Sequence, residues 1–210
     1  FAAYQKCPAI GGSAVSANLK EVKRLPGVTD AFIVEGNGTI GELISGVAIV
    51  GDSTWAVFNA KSRLKVEWDE SNASKDSWTE LVRRGKELGT KPGANTVGAT
   101  GDVDKRFREN RERTVEGFYT YPFVAHLCME PMNCTAHYRA GADGEEASLE
   151  VWAPTQAPGG IAPAAKSIFG INPERVKVHQ TRMGGGFGRR FSSEFVVEAI
   201  EISKRVGKPV

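Results

Sequence analysis

The stretch Arg182-Met-Gly-Gly-Gly-Phe-Gly-Arg-Arg-Phe191 constrains the fold more than any other ten residues of the chain. Four glycines stand among three arginines and two phenylalanines, so the backbone there either takes left-handed conformations or is approached too closely for side chains. Ahead of it, Val176 and Val178 alternate as in a strand. Behind it, Ser192 or Ser193 is placed to cap a helix whose buried stripe is Phe195, Val196, Ala199, Ile200, Ser203 and Val206. Glu194 and Glu198 lie early in that helix and Lys204 and Arg205 late, as the helix dipole favours. The order strand, glycine loop, helix sets unpaired N–H groups at the helix start against whatever faces the loop, which suits a phosphate or another anion. Arg189 and Arg190 could add charge-assisted contacts. A turn needed only for backbone geometry is the competing reading.

Two phosphate-binding patterns fail on the residues. No Gly-Lys followed by Ser or Thr closes the loop, and no Gly-x-Gly-x-x-Gly register runs through it. An ATPase and a Rossmann dinucleotide fold are both disfavoured. The charge balance, 27 Lys and Arg against 25 Asp and Glu, offers no sustained basic field for nucleic acid or a membrane surface. A protein or small-molecule partner is expected instead, with no nucleic acid. No apolar run approaches the roughly 18 to 20 residues of a spanning helix. Three cysteines, Cys7, Cys128 and Cys134, are too few for a disulfide framework.

Along the chain, local signals predict mixed α and β structure, an α+β fold. A short helix is expected between Asn18 and Leu25, stopped by Pro26-Gly27, with strands in Val28–Gly36 and Gly46–Gly51. Asp52-Ser-Thr leads a capped helix that runs into a strand from about Leu64. Residues 73–113 turn polar and charged, with a helix at Trp78–Leu88 and a basic stretch, Lys105–Arg113, expected to be a solvated connector. Three strand candidates follow, in Glu112–Tyr121, Cys134–Ala140 and Ala147–Ala153, so a second domain is expected from Thr114. A helix ending at Gly170 and the strand Val176–Val178 lead into the glycine loop. A start at Phe1 without Met, and a final Gly207-Lys-Pro-Val210 that reads as a helix stop and the beginning of an extended segment, predict a piece of a longer chain.

The ordered set Val151-Trp-Ala-Pro-Thr-Gln-Ala-Pro158, Gly170-Ile-Asn-Pro-Glu-Arg-Val-Lys-Val-His179 and Met183-Gly-Gly-Gly-Phe-Gly-Arg-Arg190 resembles the molybdenum hydroxylase family of xanthine dehydrogenases and aldehyde oxidoreductases, in the subunit that holds molybdopterin. Arg189-Arg190, where Gly-Lys is usual in xanthine dehydrogenase, and Met129-Glu-Pro-Met-Asn-Cys-Thr-Ala136 are more similar to the isoquinoline 1-oxidoreductase β subunit and membrane-bound aldehyde dehydrogenase branch. Residues 1–72 resemble the α/β hammerhead domain of the same family. Residues 73–113 would then be a polar linker or insertion, and 114–210 the first part of the molybdopterin-binding domain.

The resemblance implies that Gln156 hydrogen-bonds an oxo ligand of molybdenum, and that Gly184, Gly185, Gly186, Phe187 and Gly188 face the cofactor, with Phe187 shaping the pocket over the metal. It implies contacts from Arg189 and Arg190 to dinucleotide phosphates, the cofactor being the cytosine dinucleotide form. Glu130 either lines the substrate channel or caps local backbone, the structural role being favoured. The implied chemistry is hydroxylation of an aldehyde or N-heterocyclic carbon with oxygen taken from water. Electrons would leave through [2Fe-2S] clusters on a partner subunit, toward a cytochrome c rather than NAD. The general base, a glutamate, has no match in these residues, so this chain alone is expected to be inactive without the remainder of the molybdenum subunit. Export to the periplasm is implied by the same branch, with the cytoplasm as alternative.

A different class of reading starts from His126, Cys128, Cys134 and His137, whose His-x-Cys and Cys-x-x-His spacings could form a four-ligand zinc site in a non-catalytic binding module. His179, alone on its strand, is expected to be an ordinary surface or core histidine.

Overall fold

The computed structural model describes residues 1–36, 41–142 and 144–210. Two compact units emerge. One combines Phe1–Ser74 with His126–Val210, and the other is Lys75–Ala125.

In the N-terminal part of the larger unit the order is β1 (Ala2–Lys6), β2 (Ser13–Ala17), α1 (Leu19–Val22), β3 (Val28–Val34), β4 (Gly46–Gly51), α2 (Thr54–Ser62) and β5 (Val66–Asp69). β4 is the centre of a three-stranded antiparallel sheet between β1 and β3. Every residue of β4 is buried, which its small and β-branched sequence permits on both faces. One face packs Ile49 against Val57 and Ala60 of α2. On α2, the Ser53 hydroxyl accepts from the Ala56 N–H at 3.2 Å, the expected cap, worth about 1 kcal/mol. β2 and β5 form a separate antiparallel pair. α1 is shorter than the expected Asn18–Leu25 helix, because after Val22 the chain tightens into i→i+3 turns, Arg24 N to Glu21 O and Leu25 N to Val22 O, before Pro26.

The smaller unit holds α3 (Trp78–Gly89) and α4 (Val103–Glu109). The basic stretch expected to be a solvated connector is helical over α4, where the Asp102 carboxylate accepts from the Lys105 N–H at 2.8 Å and caps the helix. The strand expected in Glu112–Tyr121 does not form. The segment has strand-forming residues, but among the described residues no ladder partner meets it, and propensity without pairing does not make a strand.

The chain then returns to the larger unit with β6 (Thr135–Arg139), β7 (Ser148–Ala153), α5 (Ile161–Phe169), β8 (Val176–Gln180) and α6 (Glu194–Val206). β6 pairs antiparallel with β7, and β7 pairs parallel with β8 across the α5 crossover. α5 stops at Gly170, whose φ of 71° is the left-handed cap expected of it. Val151, Ala153, Ile161, Phe195, Val196 and Ile200 belong to one core beneath this sheet. α6 is buried on more than the one stripe read from its sequence. Ile202 joins Phe32, Val34, Ala48 and Val50 on the second face of the β4 sheet. Lys6 of β1 reaches Glu198 at 2.9 Å and Glu194 at 3.4 Å.

Candidate functional site

Parallel pairing sets the site. Ala153 and Gln180 are opposite one another at the carboxyl ends of β7 and β8, so the segments leaving both strands emerge at one edge. Carboxyl edges of parallel strands are where open sheets bind ligands. At this edge, residues 182–191 meet Thr155 and Gln156 after β7 and residues 128–131 before β6.

Each contact accounts for one feature of the glycine run. A Cβ on Gly184 would stand 2.5 Å from Glu130 Cβ, and one on Gly186 would stand 2.7 Å from both Cδ and Oε1 of Gln156. The bare backbone expected to admit a ligand is therefore pressed from one side by the protein's own side chains. Gly185 and Gly188 have φ of 103° and 83°, which glycine tolerates without strain. Phe187 has φ of 51° and is the non-glycine residue among the described ones with positive φ. The residue is 71% exposed, and its ring stacks on His126 with centroids 6.4 Å apart.

Gln156 Oε1 accepts from the N–H groups of Gly188 at 3.0 Å and Arg190 at 3.3 Å. With the oxygen so engaged, the Nε2 amide group is left as a donor, with no acceptor for it among the described residues. Glu130 accepts from the Gly184 N–H at 2.8 Å and from Asn133 at 3.1 Å. The Gly184 N–H, then the Asn133 amide and the Arg190 charge, hold its carboxyl below the usual carboxylate range against the opposing effect of burial. Among the described residues none accepts from the N–H groups of Gly185, Gly186 and Phe187, and these three consecutive donors are what the loop offers to a ligand.

The two arginines have different surroundings. Arg189 is about one-third exposed and pairs with Glu194 at 2.6 Å. Arg190 is wholly internal, donating to Gly185 O at 2.9 Å, Glu130 O at 2.8 Å, Glu130 Oε2 at 2.9 Å and, at 3.4 Å each, Pro131 O and Pro154 O. Its side chain has no exposed surface. The helix start also differs from its expected form. A turn over Gly188–Phe191 separates loop from α6, and the first turn of α6 is buried with no side-chain cap from Ser193. The donors come from the loop instead.

Among the described residues no three His, Cys, Asp or Glu side chains gather as a metal site. His126 lies on Phe187, and Cys128 donates weakly to Gly186 O at 3.6 Å. Cys134 packs against the core, where burial pushes its thiol up to about 12, and His137 is opposite Glu150 in the β6–β7 ladder. His179 is on the open sheet face, 2.8 Å from Glu150 and stacked on Trp152.

The fold thus sets a glycine loop with three unpaired amides at the carboxyl edge of a mixed sheet. The family of molybdopterin cofactor-binding domains matches residues 89–210, and the chain belongs to that family. It is 32% identical to the isoquinoline 1-oxidoreductase subunit beta of Brevundimonas diminuta over 173 residues, covering 79% of this chain and 21% of that protein. It is 27% identical to the membrane-bound aldehyde dehydrogenase [pyrroloquinoline-quinone] of Gluconacetobacter polyoxogenes over 203 residues, covering 95% of this chain and 25% of that one. The chain thus spans a quarter or less of the length of these relatives. All of it superposes on 30% of the quinoline 2-oxidoreductase from Pseudomonas putida 86, with a TM-score of 0.63 at 18% identity. The aldehyde oxidoreductase from Desulfovibrio gigas gives the same score and identity over 26% of its chain.

Proposed function

We propose that this chain supplies the wall of a molybdenum cofactor site in an oxidoreductase that hydroxylates an aldehyde or an N-heterocyclic carbon. The observation that carries the proposal is the run of three unpaired amides, Gly185 to Phe187, beside Gln156, whose Nε2 is a further donor. These groups are donors only, and they fit an oxygen-rich, anionic cofactor that approaches bare backbone. When bound, that cofactor supplies the oxygen-transfer and redox chemistry. The protein's share is positional. The loop amides would hold anionic oxygens, Gln156 would orient toward the metal's oxygen ligand, and the exposed Phe187 ring would restrict the space above it. Arg189, about one-third exposed although paired with Glu194, would be the arginine to contact dinucleotide phosphates in a cytosine dinucleotide form.

The same reading assigns residues 1–72 to a hammerhead domain and 114–210 to the first part of the molybdopterin-binding domain. It places the general base in the remainder of the subunit and the [2Fe-2S] clusters on a partner subunit, with a cytochrome c as acceptor and the periplasm as compartment. These assignments are what the motif resemblance of residues 151–158, 170–179 and 183–190 implies.

Elemental analysis of the native complex, before any chelator or refolding step, tests the proposal. Molybdenum near one per chain is the expected result. Zinc without molybdenum would overturn it and return the chain to the binding-module class.

A further inference from the structure

The three loop amides face outward because something holds their carbonyl neighbours inward. In a trans peptide the C=O of one residue and the N–H of the next point in opposite directions, and no cis peptide occurs among the described residues. Gly184 O accepts from the Glu130 N–H at 3.5 Å, Gly185 O from Arg190 Nε at 2.9 Å, and Gly186 O from the Arg189 N–H at 2.9 Å as well as Cys128. Each of these contacts turns the following N–H, of Gly185, Gly186 and Phe187 respectively, away from its acceptor's partner. The shortest side-chain contact of the set is made by Arg190, whose guanidinium also reaches the carbonyls of Glu130, Pro131 and Pro154. One side chain therefore ties the glycine loop to both segments that flank it.

Resting on the cofactor reading above, we infer that Arg190 is a positioning residue: it never touches the cofactor, and it fixes the donor direction of the glycine loop, with Glu130 as its counter-charge. The planar fork of arginine suits this role because it reaches several acceptors at once, whereas a lysine ammonium is a single compact donor. Its backbone contributes as well, through the N–H that helps hold Gln156 Oε1. Loop direction and glutamine direction are thereby set by the same residue.

The test uses the assembled enzyme carrying Arg190→Ala, Arg190→Lys or Glu130→Gln. Molybdenum and pterin per subunit are measured after gel filtration, together with amide hydrogen exchange over residues 184–188. Arg190→Ala should lower cofactor retention on the order of tenfold, the scale seen when groups that orient metal-site ligands are removed, and should speed exchange in the loop. Arg190→Lys should recover part of both. Glu130→Gln gives the discriminating sign. If Arg190 is a brace, losing its counter-charge weakens retention; if Arg190 instead reaches for a phosphate, removing a competing carboxylate leaves retention equal or raises it, and the inference is overturned. Unchanged retention and exchange in Arg190→Ala would overturn it too. Wild-type enzyme lacking molybdenum and pterin would remove the cofactor reading, while loop exchange in the same variants would still judge the brace.

Discussion

A methyl group added at Gly184 and one added at Gly186 meet different obstacles. At Gly184 the obstacle is Glu130 Cβ at 2.5 Å, an atom fixed to the backbone, so Gly184→Ala should cost about 1–3 kcal/mol of stability and lower the thermal midpoint. At Gly186 the obstacle is the end of the exposed Gln156 side chain, which can swing aside. Gly186→Ala should cost about 0.5–1.5 kcal/mol, the scale of a lost hydrogen bond, as Gln156 gives up its contacts to the Gly188 and Arg190 N–H groups, and so should lower the midpoint less than Gly184→Ala does. The displaced glutamine should nevertheless cost turnover in the assembled enzyme on the order of 100-fold. Equal midpoint losses in the two variants would refute this division. Phe187→Gly should be stabilising by up to about 1 kcal/mol, since it releases a left-handed side-chain residue, and a melting curve decides. Gln156, Phe187 and the glycines are singled out in the sequence because they lie in one contiguous motif or one ordered set. The internal role of Arg190 is invisible there, because its acceptors are at Glu130, Pro131, Pro154 and Gly185, and nothing local marks an arginine as buried.

Helix α6 carries two carboxylates into the interior, and they respond to pH in opposite directions. Burial pushes the Glu198 carboxyl up to about 7, with Glu194 adding to the rise and Lys6 and Arg189 opposing it. Burial also raises Glu194, but the Ser192 hydroxyl, Lys6 and Arg189 together bring it below its ordinary value. For Glu198 the folded state prefers the protonated acid, so its contribution is full below its ordinary value of 4.5 and is lost as pH rises through about 7. Across that window the protein should lose stability on the order of 2 kcal/mol relative to Glu198→Gln, measurable as diverging denaturation midpoints between pH 5 and 8. Parallel midpoints would contradict the buried-acid account. The helix itself is legible from its period and charge placement, as α2 is from its cap, because those signals are local. The strand expected in Glu112–Tyr121 is not, since a ladder depends on a partner that the segment's own residues do not specify. α4 was concealed for a related reason: its basic sequence reads as solvated, and its stability depends on the Asp102 cap.

For the molecule as a whole, the two units differ in how much apolar surface they bury. No residue of α3 or α4 is buried, and Val115, Tyr119, Tyr121 and Phe123 are exposed, whereas the larger unit contains three buried clusters. Segments with few buried apolar contacts open most readily. Limited proteolysis of this chain should therefore cut within residues 75–125 first, and the two resulting pieces should stay associated through the contacts of Lys6 and Ile202 with their partners. Early cuts within β4 or α6 would be the contrary outcome.

The seat of Ile202 among Phe32, Val34, Ala48 and Val50 also has a consequence in time. A ribosome must add about 150 residues after Val50 before Ile202 exists, which at typical synthesis rates takes roughly 8 to 30 seconds. For that interval the nascent β4 sheet has one greasy face and no native cover for it. A chaperone bound to the early chain and released only when α6 emerges is the outcome this architecture predicts, measurable by crosslinking to stalled nascent chains ending before and after Ile202.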